Sequence, residues 1–302
     1  MEIFDKKRYK LGIIMTLLGA INWGLSGTLG QFLLQVDEVN PAWISSIRLT
    51  CAGIILIIFS LFKQKKKSFD IFKNKKDVLV LLFFAVFGLM ATQLTYLKTI
   101  FYTNAATATV LQYTGAVMVV FYVCIVEKRL PSLGESLAIF LAMLGTFVLT
   151  THFNIHNLVI SKEGLIWGLV SALCLMTYTI LPSKIISKYG PEPVTGFGML
   201  IGGIILTLSA RTYAMSYSGD IYFYLALAGM VIMGTALAFY LFLSGVNLVG
   251  PLTGSLLATI EPVASVFFSA VLLGHKTGLI DMSGIGIILL AVICLSLAGN
   301  KK

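Results

Sequence analysis

The chain has 302 residues, of which 58% are hydrophobic and 12% are charged, and its mean hydropathy is +0.93. A composition this apolar lies outside the range of soluble globular domains and indicates an integral membrane protein. The formal net charge of +9 does not indicate nucleic-acid binding, because the basic residues are spread between apolar stretches and do not form one groove or arm. We therefore expect a lipid bilayer, and no nucleic acid, as partner.

The sequence contains about ten apolar stretches, and the length of each is near the ~20 residues that a helix needs to cross a ~30 Å hydrocarbon layer. The first one follows a basic segment, as in a signal peptide, but it is too long and lacks a small-x-small cleavage site. We expect it to remain in the mature chain as the first span. In the first half of the chain the stretches lie at 11–34, 41–62, 78–97, 104–126 and 134–151.

The second half of the chain continues in the same way. Its connectors and those before it are short, except for 63–77, which contains seven lysines, and 152–162. All four cysteines lie in apolar stretches without CxxC spacing, so we expect no disulfide framework, no metal and no cofactor. The stretches of this half lie at 163–182, 193–211, 221–244, 252–273 and 281–299.

The last five stretches echo the first five. Residues 1–151 and 163–302 are therefore predicted to form two five-helix repeats, joined by an external loop at 152–162. Because five is odd, the two halves must cross the membrane in opposite senses. The fold class predicted is an all-α integral membrane protein with ten transmembrane helices in two inverted repeats, an architecture from which many secondary transporters build an alternating-access pore.

Individual residues also support the repeat. Tyr96 lies in the third stretch of the first half, and Tyr240 takes the corresponding place in the second half. The fourth helix of each half then begins with small residues and is predicted to break in its middle. Gly115 marks the break in one half and Pro262 marks it in the other.

The positive charges predict the orientation. If both termini are cytoplasmic, roughly 17 of the 22 Lys and Arg residues lie in cytoplasmic segments and roughly four lie in external loops or at their edges. The opposite orientation would invert this bias. We therefore predict a multi-pass protein of the cytoplasmic membrane with both termini in the cytoplasm.

Several groups of residues resemble the EamA branch of the drug/metabolite transporter superfamily. They are Trp23-Gly24-Leu25-Ser26-Gly27, Arg48, the run Asn-Ala-Ala-Thr-Ala-Thr-Val-Leu-Gln at 104–112, and Leu-Leu-Ala-Thr-Ile-Glu-Pro at 256–262. The resemblance covers essentially the whole chain and is closest to bacterial inner-membrane members. It implies a ten-helix carrier, often an exporter, of small metabolites such as amino acids and their relatives. The Gly-Glu pair that the family often has after the fourth helix of each half is matched by Glu127 in the first half but is replaced by Gly274-His275 in the second.

Two charged residues inside apolar stretches are the strongest site candidates. Glu261 lies near the middle of its stretch, where a carboxylate costs at least a few kcal/mol, and Pro262 leaves a carbonyl one turn earlier free to kink the helix or bind a ligand. Glu261 could take a proton, an ammonium group or a cation, or it could simply bond a neighbouring helix. Arg48 could attract a substrate carboxylate, snorkel outward or pair with a protein carboxylate.

Other polar and aromatic residues recur at helical spacing on single faces. Tight packing through small residues explains many such faces, but large side chains such as Tyr96, Gln112 and Tyr178 do not belong in a close helix contact. We expect these three to share one cavity with Trp23 and Glu261. The complete predicted substrate-binding set is Asn22, Trp23, Ser26, Arg48, Tyr96, Gln112, Tyr178, Tyr240 and Glu261.

Together these features predict a secondary active transporter, an exporter of small metabolites such as amino acids or related amphipathic compounds, with proton coupling through Glu261. The alternative is an intramembrane enzyme that acts on a lipid or a lipid-linked metabolite. Such an enzyme needs a cluster of catalytic acids, histidines or a nucleophile, and the sequence contains neither that cluster nor a GxSxG, HExxH or GxxxxGK[ST] motif. A monomer and a homodimer are both compatible with the sequence.

Overall fold

A computed structural model describes residues 2–35, 39–103, 105–154, 156, 161–273 and 278–299, and within these ranges every regular element is helical. In the first half, a 3-10 segment at Lys65–Lys73 connects two helices, and a π-helical turn at Phe84–Met90 joins α3 directly to α4. The helices are α1 (Glu2–Gln35), α2 (Pro41–Gln64), α3 (Lys75–Phe83), α4 (Ala91–Tyr102), α5 (Ala105–Val126) and α6 (Leu133–Thr151).

The second half has the same kind of organisation. A second π-helical turn at Ile232–Leu237 joins α10 to α11, and a 3-10 turn at Ala258–Ile260 separates α12 from α13. The helices are α7 (Lys162–Ile180), α8 (Ser183–Tyr189), α9 (Pro191–Ser209), α10 (Ile221–Val231), α11 (Ala238–Val249), α12 (Pro251–Leu257), α13 (Glu261–Leu273) and α14 (Leu279–Gly299).

Each of the ten predicted apolar stretches coincides, over most of its described residues, with helix, although α1 begins at Glu2 instead of residue 11. Seven helical runs in the described ranges are long and apolar enough to cross a bilayer, and α5, α6 and α14 carry shorter apolar segments at Leu111–Val126, Leu133–Val148 and Leu279–Ala291. The protein is therefore an all-helical, multi-pass membrane protein. The full count of ten crossings stays a prediction. Asn104, Gly274-His275 and residues 155 and 157–160 of the loop at 152–162 lie outside the described residues.

Local sequence sets where the helices begin. The Asn40 side chain accepts a hydrogen bond from the Ala42 backbone N–H, and Pro41 occupies the first turn of α2. Ser132 and Glu135 form a reciprocal capping box at the start of α6. These side chains satisfy backbone N–H groups that have no partner within the helix.

The predicted break at Gly115 is wrong, because α5 runs without interruption from Ala105 to Val126. Gly115 instead permits close packing, since a Cβ at this position would collide with the backbone of Ala172 in α7. The break predicted at Pro262 is confirmed, and it takes the form of the 3-10 turn at Ala258–Ile260. Proline has no N–H to donate to the carbonyl four residues earlier, so the α-helical pattern cannot continue through it.

Candidate functional site

A central cavity of about 60 Å³ lies where α1, α2, α4, α5, α7 and α11 meet the break before α13. This space holds a few water molecules, whereas small-molecule sites usually enclose roughly 300–1,000 Å³. The site is therefore contracted in this conformation. The residues that line it are Trp23, Ser26, Gly27, Arg48, Thr92, Gln93, Tyr96, Leu97, Gln112, Tyr113, Leu175, Tyr178, Met230, Phe239, Ala258 and Glu261.

The five side chains that the sequence predicts to share one cavity do line the same cavity. The lining includes the five residues expected to share one cavity, which come from α1, α4, α5, α7 and α13, and also Ser26 and Arg48. Their role in substrate binding stays a prediction. The five are Trp23, Tyr96, Gln112, Tyr178 and Glu261.

Asn22 and Tyr240, two members of the predicted substrate-binding set, lie outside the cavity lining. The Asn22 side chain donates a hydrogen bond to the Leu18 carbonyl of its own helix (2.8 Å). The Tyr240 ring packs on the Phe59 ring, with 5.7 Å between centroids. Tyr240 lies nine residues before the end of α11, whereas Tyr96 lies six residues before the end of α4, so the two tyrosines do not occupy equivalent positions.

Arg48 is 4% exposed and donates three hydrogen bonds. Its Nε donates to Thr235 Oγ1 (2.8 Å), and its Nη2 donates to Ser26 Oγ (3.0 Å) and to the Gly234 carbonyl (3.3 Å). Among the described residues no carboxylate lies within ion-pair distance of it. The side chain therefore neither snorkels outward nor forms a salt bridge. It is a buried cation whose charge no carboxylate of the described residues pairs with.

These bonds also fix the second π-helical turn. Gly234 and Thr235 both belong to Ile232–Leu237, and Thr235 Oγ1 donates to the carbonyl of Met230, five residues earlier (2.8 Å). A π-helical turn contains an extra residue, and such turns are frequent at functional sites. Arg48 thus connects α2 and α1 to the π-helical turn beside the cavity.

Glu261 meets the first half of the chain through Tyr113. The Tyr113 hydroxyl lies 2.8 Å from the Ala258 carbonyl oxygen and 3.2 Å from Glu261 Oε2. Tyr113 is buried in α5 and Glu261 begins α13, so the contact joins two helices from different halves of the chain.

Aromatic rings form one wall of the cavity. The Trp23 ring lies 4.9 Å from Phe239, 4.6 Å from Phe242 and 6.0 Å from Tyr178, measured between centroids. Such a wall suits the apolar or cationic part of a ligand.

Two polar groups of the lining are available to a ligand. Trp23 Nε1 and Thr92 Oγ1 are buried and find no hydrogen-bond partner among the described residues. Because buried polar groups are nearly always hydrogen-bonded, both are expected to bond to water or substrate in the working protein.

Sequence reasoning missed Tyr113, Gln93 and Phe239 as lining residues. A signal for Tyr113 was present, since it follows Thr109 by four residues on α5 and therefore shares its face. For Phe239 the sequence gives no such signal, because an aromatic residue in an apolar helix is equally compatible with the lipid-facing side.

A second cavity of about 730 Å³ lies at the N-terminal face, where the first turns of α1 and α3 meet the last turns of α5 and α7. We call it the vestibule. Arg129 on its rim donates to Glu135 Oε2 (2.7 Å) and also pairs with Glu127. These two carboxylates raise the pKa of Arg129 above its ordinary value, Glu135 more than Glu127.

The chain resembles known proteins over nearly its whole length. The sequence profile of the EamA-like transporter family matches residues 10–151 and 162–297. A protein of Salmonella typhimurium (strain LT2) named "Uncharacterized inner membrane transporter YicL" is 38% identical over 96% of this chain and 97% of its own length. An "Uncharacterized transporter" of Clostridium kluyveri is 24% identical over 97% of this chain and 95% of its own length.

The same fold occurs in a solved crystal structure. It superposes with a TM-score of 0.78 over 95% of this chain and 98% of the other, at 18% sequence identity. At that level of identity the similarity concerns the fold alone. The relatives, together with the long apolar helices, support a multi-pass protein of the bacterial inner membrane.

Proposed function

The chain belongs to the EamA-like transporter family, and from this premise we propose that it is a secondary active exporter of small zwitterionic or amphipathic metabolites, such as amino acids and their relatives. It works by alternating access between two inverted five-helix halves, 1–151 and 163–302. Both termini lie in the cytoplasm. A monomer and a homodimer both accommodate this function.

The observation that carries the proposal is the chemistry of the central cavity. It combines one guanidinium group, one carboxyl group and an aromatic wall. Arg48 suits a substrate carboxylate, Glu261 suits an ammonium group, and the rings around Trp23 suit an apolar side chain. A ligand pocket gains affinity from buried area and orientation from a few polar groups, and this lining offers both.

The two cavities support alternating access and export. The central site is too small for a metabolite and must widen during the cycle, whereas the vestibule at the N-terminal face is already open at about 730 Å³. With the N-terminus in the cytoplasm, the vestibule faces the side from which an exporter loads its substrate. Positive charge concentrated near that face supports the orientation.

Proton coupling through Glu261 completes the proposal. A carboxyl group at a helix break in the middle of a membrane protein binds and releases a proton at low structural cost, since the break supplies free backbone groups. Exchange of this proton would link the proton gradient to the two states of the carrier.

Transport by the purified protein in liposomes tests these points. Metabolites are screened with and without a proton gradient, and Glu261→Gln is compared with Glu163→Gln, which changes an exposed glutamate at the start of α7. We expect Glu261→Gln to fold and bind substrate but to lose the response to the gradient, while Glu163→Gln behaves as wild type. An unchanged response in Glu261→Gln would contradict the coupling role.

A further inference from the structure

We propose that Tyr113 is a positioning residue that switches its hydrogen bond between Ala258 and Glu261, and that it thereby holds the turn at Ala258–Ile260 against α5 or releases it, according to the protonation of Glu261. This inference rests on the proposed coupling role of Glu261. It assigns to Tyr113 a task that neither the family membership nor the sequence pattern specifies.

The first step is the helix break. In a continuous helix the Ala258 carbonyl would accept the N–H of residue 262, but Pro262 has none. The carbonyl instead accepts the Glu261 N–H in a 3-10 turn and the Tyr113 hydroxyl at 2.8 Å. Tyr113 therefore replaces, from α5, part of the bonding that the proline removes.

The second step is that the Tyr113 hydroxyl has one hydrogen but two neighbouring oxygens. A phenol has one hydrogen to donate and lone pairs to accept, yet its oxygen contacts both the Ala258 carbonyl and Glu261 Oε2. When Glu261 is protonated, the carboxyl O–H donates to Tyr113 and Tyr113 donates to Ala258. All three groups are then satisfied.

The third step is the change when Glu261 releases its proton to solvent. A carboxylate can only accept, and a hydrogen bond to an ionised acceptor is shorter and stronger than one to a neutral carbonyl. The Tyr113 hydrogen therefore turns to Glu261. Ala258 loses its bond to α5 and keeps only the bond within the 3-10 turn.

Among the described residues, the other titratable groups that line the cavity make no hydrogen bond to Glu261. From α2, Arg48 faces the cavity but directs its hydrogen bonds to Ser26, Gly234 and Thr235. Tyr96 from α4 and Tyr178 from α7 also line the cavity, and within the described ranges neither is hydrogen-bonded to Glu261. The α1 lining has no titratable side chain.

The consequence concerns the whole carrier. Because α5 belongs to the first half and the turn at Ala258–Ile260 to the second, the bond that is lost on deprotonation lies between the halves. On deprotonation the Tyr113 bond moves to Glu261, which also belongs to the second half, so the halves stay joined through Tyr113 while the turn at Ala258–Ile260 is released from α5.

Three measurements on the full-length reconstituted protein test this switch. The first is the infrared C=O band of protonated Glu261, identified by its loss in Glu261→Gln. The second is hydrogen exchange of the amides at 258–265 as a function of pH, with each rate divided by the intrinsic, base-catalysed exchange rate at that pH. The third is the dependence of transport on the proton gradient. Tyr113→Phe is compared with Tyr224→Phe, which removes the hydroxyl of a tyrosine that is 51% exposed on α10.

We expect the Glu261 band to shift in Tyr113→Phe and to stay in place in Tyr224→Phe. Exchange at 258–265, relative to the intrinsic rate, should rise with pH in wild type and be independent of pH in Tyr113→Phe. The transport response to the gradient should weaken by about two- to ten-fold, the factor that one net hydrogen bond represents. Pro262→Ala, which restores the missing N–H, should also remove the pH dependence of exchange while Tyr113 is intact, and it provides the test if Tyr113→Phe does not fold.

The outcomes separate this inference from the proposed function. If Glu261→Gln keeps its response to the proton gradient, the coupling role itself is wrong. If Glu261→Gln loses the response but Tyr113→Phe matches Tyr224→Phe in the band and in exchange, only the switch is wrong. If exchange in Pro262→Ala keeps the pH dependence of wild type, the switch is likewise overturned.

Discussion

At the scale of single residues, Thr235 supports the buried charge of Arg48. Its hydroxyl accepts from Arg48 Nε and donates to the Met230 carbonyl within the π-helical turn. Thr235→Val keeps the shape of the side chain and removes both bonds, leaving a charged donor buried without its partner. We expect a loss of about 1.5–3 kcal/mol in the free energy of unfolding, measured by denaturant or thermal unfolding in detergent.

Thr195 offers a matched control for that substitution. It is fully buried in α9, and its hydroxyl has no hydrogen-bond partner within the described ranges. Thr195→Val loses no bond and removes a desolvated hydroxyl, so we expect unchanged or higher stability. Equal losses in the two variants would show that the bonds of Thr235 contribute nothing.

The cavity lining makes a second residue-scale prediction. Tyr96→Phe removes a hydroxyl that lies 3.1 Å from Thr109 Oγ1, and Gln112→Leu removes an amide that donates to Ser171 (2.9 Å). Because both groups can also reach a ligand in the cavity, each change should weaken substrate binding by about two- to ten-fold. Binding titration with an identified substrate measures this, alongside thermal stability and with Tyr224→Phe as control. Lower stability with unchanged affinity would make these residues packing contacts only.

Sequence periodicity predicted much of this lining, and its failures have a physical reason. Trp23, Gln112 and Glu261 were placed correctly because a large polar or amphipathic side chain in an apolar helix needs a polar neighbour. The roles of Tyr113 and Arg48 depend on contacts between helices distant in sequence. Spacing along one helix identifies a face but not the partner opposite it.

At the scale of elements, the π-helical turns limit how well spacing along a helix predicts which side chains face the cavity. A π-helical turn adds one residue, and one residue rotates the following face by about 100°. Tyr240 lies three residues after the turn at Ile232–Leu237, whereas Tyr96 lies six residues after the turn at Phe84–Met90, so the two face different directions and Tyr240 packs on Phe59 outside the cavity. No motif in the sequence predicts either π-helical turn; at the second one, hydrogen bonds to Thr235 and Gly234 come from Arg48, which is distant in sequence.

The close packing of α2 against α9 yields an element-scale prediction. Gly53 lies at this contact, where a Cβ would collide with the backbone of Leu200 and approach the Gly196 carbonyl. Backbone atoms cannot move aside as side chains do, so Gly53→Ala should destabilise the protein by about 1–3 kcal/mol. Gly286→Ala in α14 is the control, because a Cβ there meets nothing within 4 Å and alanine favours a helix. The comparison is a thermal unfolding series; similar midpoints for both variants would contradict the packing role of Gly53.

At the scale of the whole molecule, the N-terminal face combines an open vestibule with ionic contacts between the two halves. Lys63 at the end of α2 pairs with Glu192 at the start of α9, and Lys188 donates to Asp77 Oδ2 (2.7 Å). The lysines are about half exposed, and pairs of this kind add little stability. They are therefore suited to breaking and re-forming as the halves move, which a permanent apolar seal would not permit.

The orientation of the molecule supplies the last prediction. Lys66 follows α2 and Ser218 precedes α10, and both are exposed. In the ten-helix arrangement five crossings separate them, so they must lie on opposite sides of the membrane, with Lys66 in the cytoplasm because the surrounding lysines stay inside. Ser68 is unsuitable as a probe, since it is 1% exposed and accepts a hydrogen bond from Ser60.

The measurement uses single cysteines at Lys66 and Ser218 in a variant in which Cys51, Cys124, Cys174 and Cys294 are replaced. A membrane-impermeant thiol reagent added to intact cells should label Ser218→Cys and should reach Lys66→Cys only after the membrane is opened. The reverse pattern would keep the inverted repeat but invert the orientation, and the vestibule would then face outward. Labelling of both positions from one side would mean an even number of crossings between them, which is incompatible with two five-helix halves of opposite sense.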